Sequence, residues 1–224
     1  MKIEISPALF GFELEQLFAT RQGAAQFAFI QFIIWFSSYK QAADLYGGSA
    51  DYWSNYILIR GFCQALILNA VVAMELFVKP KTDKTIEMLL VTGLSPQTIV
   101  TTNVAVSLLY NAVSLLVCFG LLAFTIGRVT FSWVHLISFT VLLLANLAVL
   151  IWTGFFALQT KYGSQLAGLF IVLSVLLLLV TGLYQYSVSP APAFQAALAA
   201  GAALLALVSS FVFKLFDKEK ILLS

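Results

Sequence analysis

The chain has 224 residues, of which 61% are hydrophobic and 10% charged, with 12 basic against 10 acidic side chains. Water-soluble domains carry about 25% charged residues, so an ordinary soluble fold is excluded, and a net charge of +2 gives no basis for nucleic-acid binding. Cys63 and Cys118 both sit in apolar runs without metal-ligand spacing and read as packing residues rather than a disulfide framework.

Apolar runs of about 17 to 28 residues recur, close to the ~20 needed to cross a bilayer as a helix. The predicted fold class is an all-α membrane protein, a single transmembrane domain over residues 1–224 with six spans. Ser6-Pro7 opens a helix over about residues 7–20. Phe10, Leu14, Leu17 and Phe18 share one face of it and Glu13, Glu15 and Gln16 lie elsewhere, which predicts a helix in the membrane interface ahead of the first span. Glu4, Glu13 and Glu15 also stand where a cleavable signal peptide would be apolar.

Arg21 precedes the first span, about 23–39, in which Gln26 and Gln31 are expected to face protein rather than lipid. Residues 40–55 read as a polar loop with Asp44, Gly47-Gly48 and Asp51, edged by the belt aromatics Tyr52, Trp53 and Tyr56. The second span, about 56–78, has Arg60 near one end and Glu75 near the other. Further spans are predicted at about 99–126, 131–156, 166–186 and 193–213, with outer turns at Gly127-Arg128 and at residues 189–192. The last span is rich in Ala and Gly, which permits close helix contact.

With the N-terminus inside, Lys2, Arg21, Lys79, Lys81, Lys84, Lys161, Lys214, Lys218 and Lys220 fall on the cytoplasmic side and Lys40, Arg60 and Arg128 on the other. That is a positive-inside distribution and predicts a multi-pass protein of the cell (inner) membrane with both termini cytoplasmic.

Between spans two and three lies a charged island, Lys79-Pro-Lys-Thr-Asp-Lys-Thr-Ile-Glu-Met-Leu-Leu-Val-Thr-Gly-Leu-Ser-Pro96. Thr82 is a candidate cap for a helix over about 82–92 with Asp83 in its first turn. Ile86, Leu89 and Leu90 fall at i, i+3, i+4 and form one apolar face. Gly93 supplies a C-terminal stop, and Ser95-Pro96 reads as a new N-cap with proline at the first helical position.

Polar residues inside spans are the other signal. Asn103, Ser107, Asn111 and Ser114 form one stripe on the third span, and Asn146 and Thr153 share a face of the fourth. Such a stripe faces another helix, a second protomer or a pathway, because acyl chains cannot satisfy it. Glu75, a candidate for a cytoplasmic gate, can pair with Lys79 four residues on. The sole histidine, His135, has no accompanying carboxylate or cysteine cluster and reads as an interfacial residue. There is no phosphate-cradling G-x-x-x-x-G-K-[ST] loop and no nucleophile elbow, so neither nucleotide hydrolysis nor another catalytic activity is expected of this chain, and no metal or cofactor site is predicted on it.

The run from Asp83 to Ile99 resembles the signature of the type-2 ABC exporter permeases, in which a Gly/Lys-Thr-Leu/Ile-Glu-x-Leu-Leu element follows the second span. Thr85, Ile86, Glu87, Leu89 and Leu90 match it directly, Lys84 stands where glycine is common and Gly93 where proline is common. The resemblance implies a coupling helix docking on a cytoplasmic ABC ATPase through Asp83, Lys84, Thr85, Ile86, Glu87, Leu89 and Leu90, with Ile86, Leu89 and Leu90 as apolar anchors. It further implies an assembly of two ATPase subunits, which hold ATP and Mg, with two permease protomers of the same or related kind. Cargo is then expected to be amphipathic or hydrophobic (lipid, peptide, drug-like or haem-like), since the spans carry almost no charge. The alternatives are a stand-alone secondary carrier, which usually carries an inverted repeat not visible here, and a non-transporting membrane scaffold.

Overall fold

A computed structural model describes residues 4–44, 50–126 and 133–159, with isolated helical positions between 165 and 211. Every regular element among the described residues is helical. They are α1 (Pro7–Leu14), which runs directly into a π-helical turn (Glu15–Ala19), α2 (Arg21–Asp44), α3 (Ala50–Val72), which ends in a second π-helical stretch (Ala73–Val78), α4 (Lys79–Thr82), α5 (Thr85–Val91), α6 (Pro96–Ile126) and α7 (Trp133–Gln159). Three stretches, Arg60–Thr82, Pro96–Thr125 and His135–Gln159, are long and apolar enough to cross a membrane, which supports a membrane protein. The expected fifth and sixth spans, both outer turns and the basic tail lie outside the described residues, apart from those isolated positions.

Local chemistry sets the breaks. Ser6 caps α1 by accepting the Leu9 N–H at 3.4 Å, with Pro7 at the first helical position. Thr20 is extended (φ −70°, ψ 147°), and its hydroxyl accepts the Gly23 N–H at 3.0 Å to start α2. A Cβ on Gly23 would collide with the Gln16 and Leu17 carbonyls, so glycine is what lets α2 fold back this closely on the π turn. The loop predicted over 40–55 is corrected: α2 continues to Asp44 and α3 begins at Ala50, so most of that polar stretch is helical. Polar side chains alone do not end a helix when no Gly or Pro interrupts it.

Contacts between helices give their directions. Phe27 meets Tyr110, Gln31 donates to Ser114 and Trp35 donates to Thr125, so α2 and α6 run the same way. Leu76 pairs with Asn103, Asn69 with Asn111 and Gln64 with Ser114, so α3 runs against α6. Asn69 meets Asn146 and Lys81 meets Leu158, so α7 runs with α3. In consequence α1, α4, α5, the beginnings of α2 and α6 and the ends of α3 and α7 gather at one end of the bundle, which also bears Arg21, Lys79, Lys81 and Lys84. The largest core cluster sits there, built from Leu9 and Leu17, Leu76 and Phe77, Ile86 and Leu90, Ile99 and Val100, and Leu150 and Leu158.

Candidate functional site

The candidate site is the segment between α3 and α6 together with the polar rungs that tie those helices to each other. It begins with Pro80. A proline in a helix removes one N–H and crowds the carbonyl four residues back, here that of Leu76. The backbone responds with the π-helical stretch Ala73–Val78, and the Asn103 side-chain amide donates to the displaced Leu76 carbonyl at 2.7 Å. Pro80 with an asparagine on the next span is the sequence signal for this joint; helical spacing marks Asn103 but not its partner.

Thr82 does not cap the next helix. Its hydroxyl donates to the Lys79 carbonyl at 2.8 Å inside α4, Asp83 and Lys84 form a turn, and α5 starts at Thr85. The predicted helix over 82–92 is therefore shortened at its start. Lys84 has φ 60°, the left-handed conformation that favours glycine. The stop is as expected: Gly93 has φ +91°, its N–H reaches the Leu90 carbonyl and the Leu94 N–H reaches that of Leu89, a complete Schellman motif. The restart is as expected too, with the Ser95 hydroxyl accepting the Thr98 N–H at 3.0 Å ahead of Pro96.

The apolar face of α5 points inward. Ile86 and Leu90 are each 2% exposed and belong to the chain's own core, with Leu89 half-buried against it. The same i, i+4 spacing that makes a docking face also suits a helix resting on its own bundle, and here Ile86 and Leu90 rest on it. What faces outward is Met88, 67% exposed, and Val91, 86% exposed, beside exposed Asp83, Lys84, Thr85 and Glu87. Met88 and Val91 are three residues apart and so form one apolar strip on an otherwise polar surface.

Glu75 pairs with Lys79 at 3.3 Å, the i,i+4 contact expected from the sequence. Lys79 is largely exposed, so this pair contributes little to stability. The adjacent Lys81 donates to the Leu158 carbonyl at 3.0 Å near the C-terminus of α7, where a cation suits the helix dipole. Thus the short α4 is tied to α7 as well as to α3.

All four members of the α6 stripe are buried, and they face helices of the same chain. Asn103 holds the Leu76 carbonyl, Ser107 donates to the Asn103 carbonyl at 2.5 Å, and Ser114 accepts from Gln31 of α2 with Gln64 of α3 alongside. Asn111 donates to the Asn69 carboxamide at 2.7 Å, which donates in turn to Asn146 at 2.8 Å. Three asparagines from α6, α3 and α7 thereby form a chain across the bundle. Asn103, Asn111 and Ser114 thus bond to neighbouring helices, and Ser107 turns back on its own. Gln31 faces protein as expected, Gln26 is half-buried, and Thr153 turns back on the Val149 carbonyl of its own helix. His135 is buried at the start of α7. Glu13 departs from expectation: it is buried in line with Leu9 of α1 and Leu17 of the π-helical turn.

Among the described residues no group of His, Cys, Asp or Glu is arranged to hold a metal ion. No protein-family model, curated protein or solved structure matches the chain.

Proposed function

We propose that the chain is the transmembrane permease subunit of an ATP-driven ABC exporter, working as a dimer of permease protomers with two separate ATPase subunits in the cell membrane. The one observation that carries this reading is mechanical. α3 and α6 are tied by rungs at Leu76–Asn103, Asn69–Asn111 and Gln64–Ser114, and the short α4–α5 segment is seated at their shared base. A push delivered to α5 moves α3 and α6 together, because sliding one past the other breaks buried hydrogen bonds for which acyl chains offer no replacement.

The docking surface is then the outward strip of Met88 and Val91, with Lys84 and Glu87 as the polar rim, seated in a groove of the ATPase in the helix-in-groove manner. Ile86, Leu89 and Leu90 fix α5 to the lever instead of to the partner. ATP and Mg belong to the partner, and the cargo is amphipathic or hydrophobic. The gathering of Arg21, Lys79, Lys81 and Lys84 at one end supports placing that end, and the N-terminus with it, in the cytoplasm.

A single labelling experiment tests the placement. Met88→Cys is expected to react with a membrane-impermeant maleimide in inside-out vesicles when the chain is expressed alone, and to be shielded when the ATPase is co-expressed. Labelling from the outer face of intact cells would overturn the topology, and equal labelling with and without the ATPase would overturn the docking strip.

A further inference from the structure

Glu13 stands four residues from Leu9 and four from Leu17, so the three form one ridge of α1 and its π-helical extension. That ridge is buried, with Leu9 7%, Glu13 5% and Leu17 4% exposed. The Ser6 N–H donates to the Thr102 hydroxyl at 3.1 Å and Phe18 packs on the Tyr110 ring at 5.1 Å, which seats α1 on α6. The Glu13 side chain makes no hydrogen bond or ion pair with any described residue. A carboxyl group on a side chain this far covered, with no donor or cation among the described residues, is costlier as an anion than as the neutral acid.

No titratable group among the described residues around it changes that. α6 carries no acidic or basic residue from Pro96 to Ile126; its titratable side chains are Tyr110, packed on Phe18 and Phe27, and Cys118. Along the chain, Glu4 before Glu13 and Glu15 and Arg21 after it are exposed. Of the elements that share the core with Leu9 and Leu17, α5 turns Lys84 and Glu87 outward, Glu75 and Lys79 pair with each other, Lys81 is bonded to Leu158, and Arg60 and His135 lie toward the opposite ends of α3 and α7.

We propose that Glu13 is a proton-responsive latch: the neutral acid holds α1 against α6, and the carboxylate loosens that hold. α6 begins directly after the α5 stop, so the latch grips the same helix that leaves the candidate docking segment. Burial pushes the Glu13 carboxyl from 4.5 up to about 7. The docked state therefore binds the proton more tightly than the undocked state does. Docking is strongest below pH 4.5, weakens as pH rises from there to about 7, and levels off above, a total weakening of roughly a few hundredfold.

The test is amide hydrogen exchange on the full chain in lipid nanodiscs at pH 5 and pH 8, with rates normalised for the intrinsic pH dependence of exchange. Protection of the α1 amides should fall by about tenfold or more at pH 8 while amides of α3 over residues 66–72 keep theirs. Glu13→Gln, which fixes the side chain neutral, should hold α1 protection high at both values, and Glu15→Gln should behave as the wild type. α1 protection that does not change with pH in the wild type, whether high or low, overturns the latch. So does the same pH-dependent fall in Glu13→Gln. Neither result depends on an ATPase, so failure here leaves the docking proposal standing.

Discussion

Ile86→Asp is expected to unfold the base of the bundle rather than merely release a partner. Ile86 is 2% exposed in the cluster that joins α1, α3, α5, α6 and α7. Removing a buried isoleucine side chain costs about 2–5 kcal/mol through lost transfer energy and the cavity left behind. An unpaired carboxylate at the same point adds the penalty of burying a charge, so the total should exceed about 4 kcal/mol. Leu90→Asp should behave alike, being equally buried. Met88→Asp and Val91→Asp, on the exposed side of the same two turns, should stay within about 0.5 kcal/mol of wild type. Thermal unfolding of the purified chain, followed by its loss of monodisperse elution after heating, separates the two classes. Equal stability for Ile86→Asp and Met88→Asp would mean that α5 does not rest on the bundle as described.

Asn69→Leu is expected to be the most damaging polar-to-apolar change among the described spans. Asn69 is the middle of the chain linking α6 to α7, accepting from Asn111 and donating to Asn146. Leucine at this position removes both bonds and leaves an amide donor on Asn111 and a carbonyl acceptor on Asn146 buried without partners. Each such orphan costs about 1–3 kcal/mol, so a loss of about 2–6 kcal/mol is expected. Asn146→Leu should cost less: it breaks one bond, strands one group on Asn69, and removes the buried Asn146 Nδ2, which has no partner. The comparison is made by unfolding both variants in the same bilayer-mimetic. An Asn69→Leu variant no less stable than Asn146→Leu would show that the asparagine chain does not hold the helices.

Elements with strong local chemistry were legible in the sequence, and long-range partners were not. Ser6-Pro7, Gly93 and Ser95-Pro96 announced the beginning of α1, the end of α5 and the beginning of α6, because caps and left-handed glycines act within four residues. The beginning of α5 was misplaced at Thr82, since a threonine hydroxyl can bond forward as a cap or backward to its own helix, and here it bonds backward to Lys79. The stripe on α6 was visible from spacing, yet spacing cannot say which helix satisfies it; Asn69, Gln64 and the Leu76 carbonyl lie 27 to 50 residues away in sequence. The apolar side of α5 was visible in the same way, and its direction was not, because a period of 3.6 is the same whether the face meets a partner or the chain's own core. Glu13 ran against its charge. Position 13 falls on the buried ridge by the same spacing as Leu9 and Leu17, and burial there favours the neutral acid.

The proposal stands on the outward strip of α5 as the place where force from nucleotide hydrolysis enters. The most direct measurement is to purify the full chain from its native membranes in mild detergent and assay the preparation for Mg-dependent ATP hydrolysis, for the wild type and for Met88→Asp combined with Val91→Asp. The account predicts a nucleotide hydrolase that stays with the wild-type chain through purification and is lost from a double variant that elutes as a folded protein. A wild-type preparation without hydrolytic activity, or a double variant that retains the same activity, would contradict it.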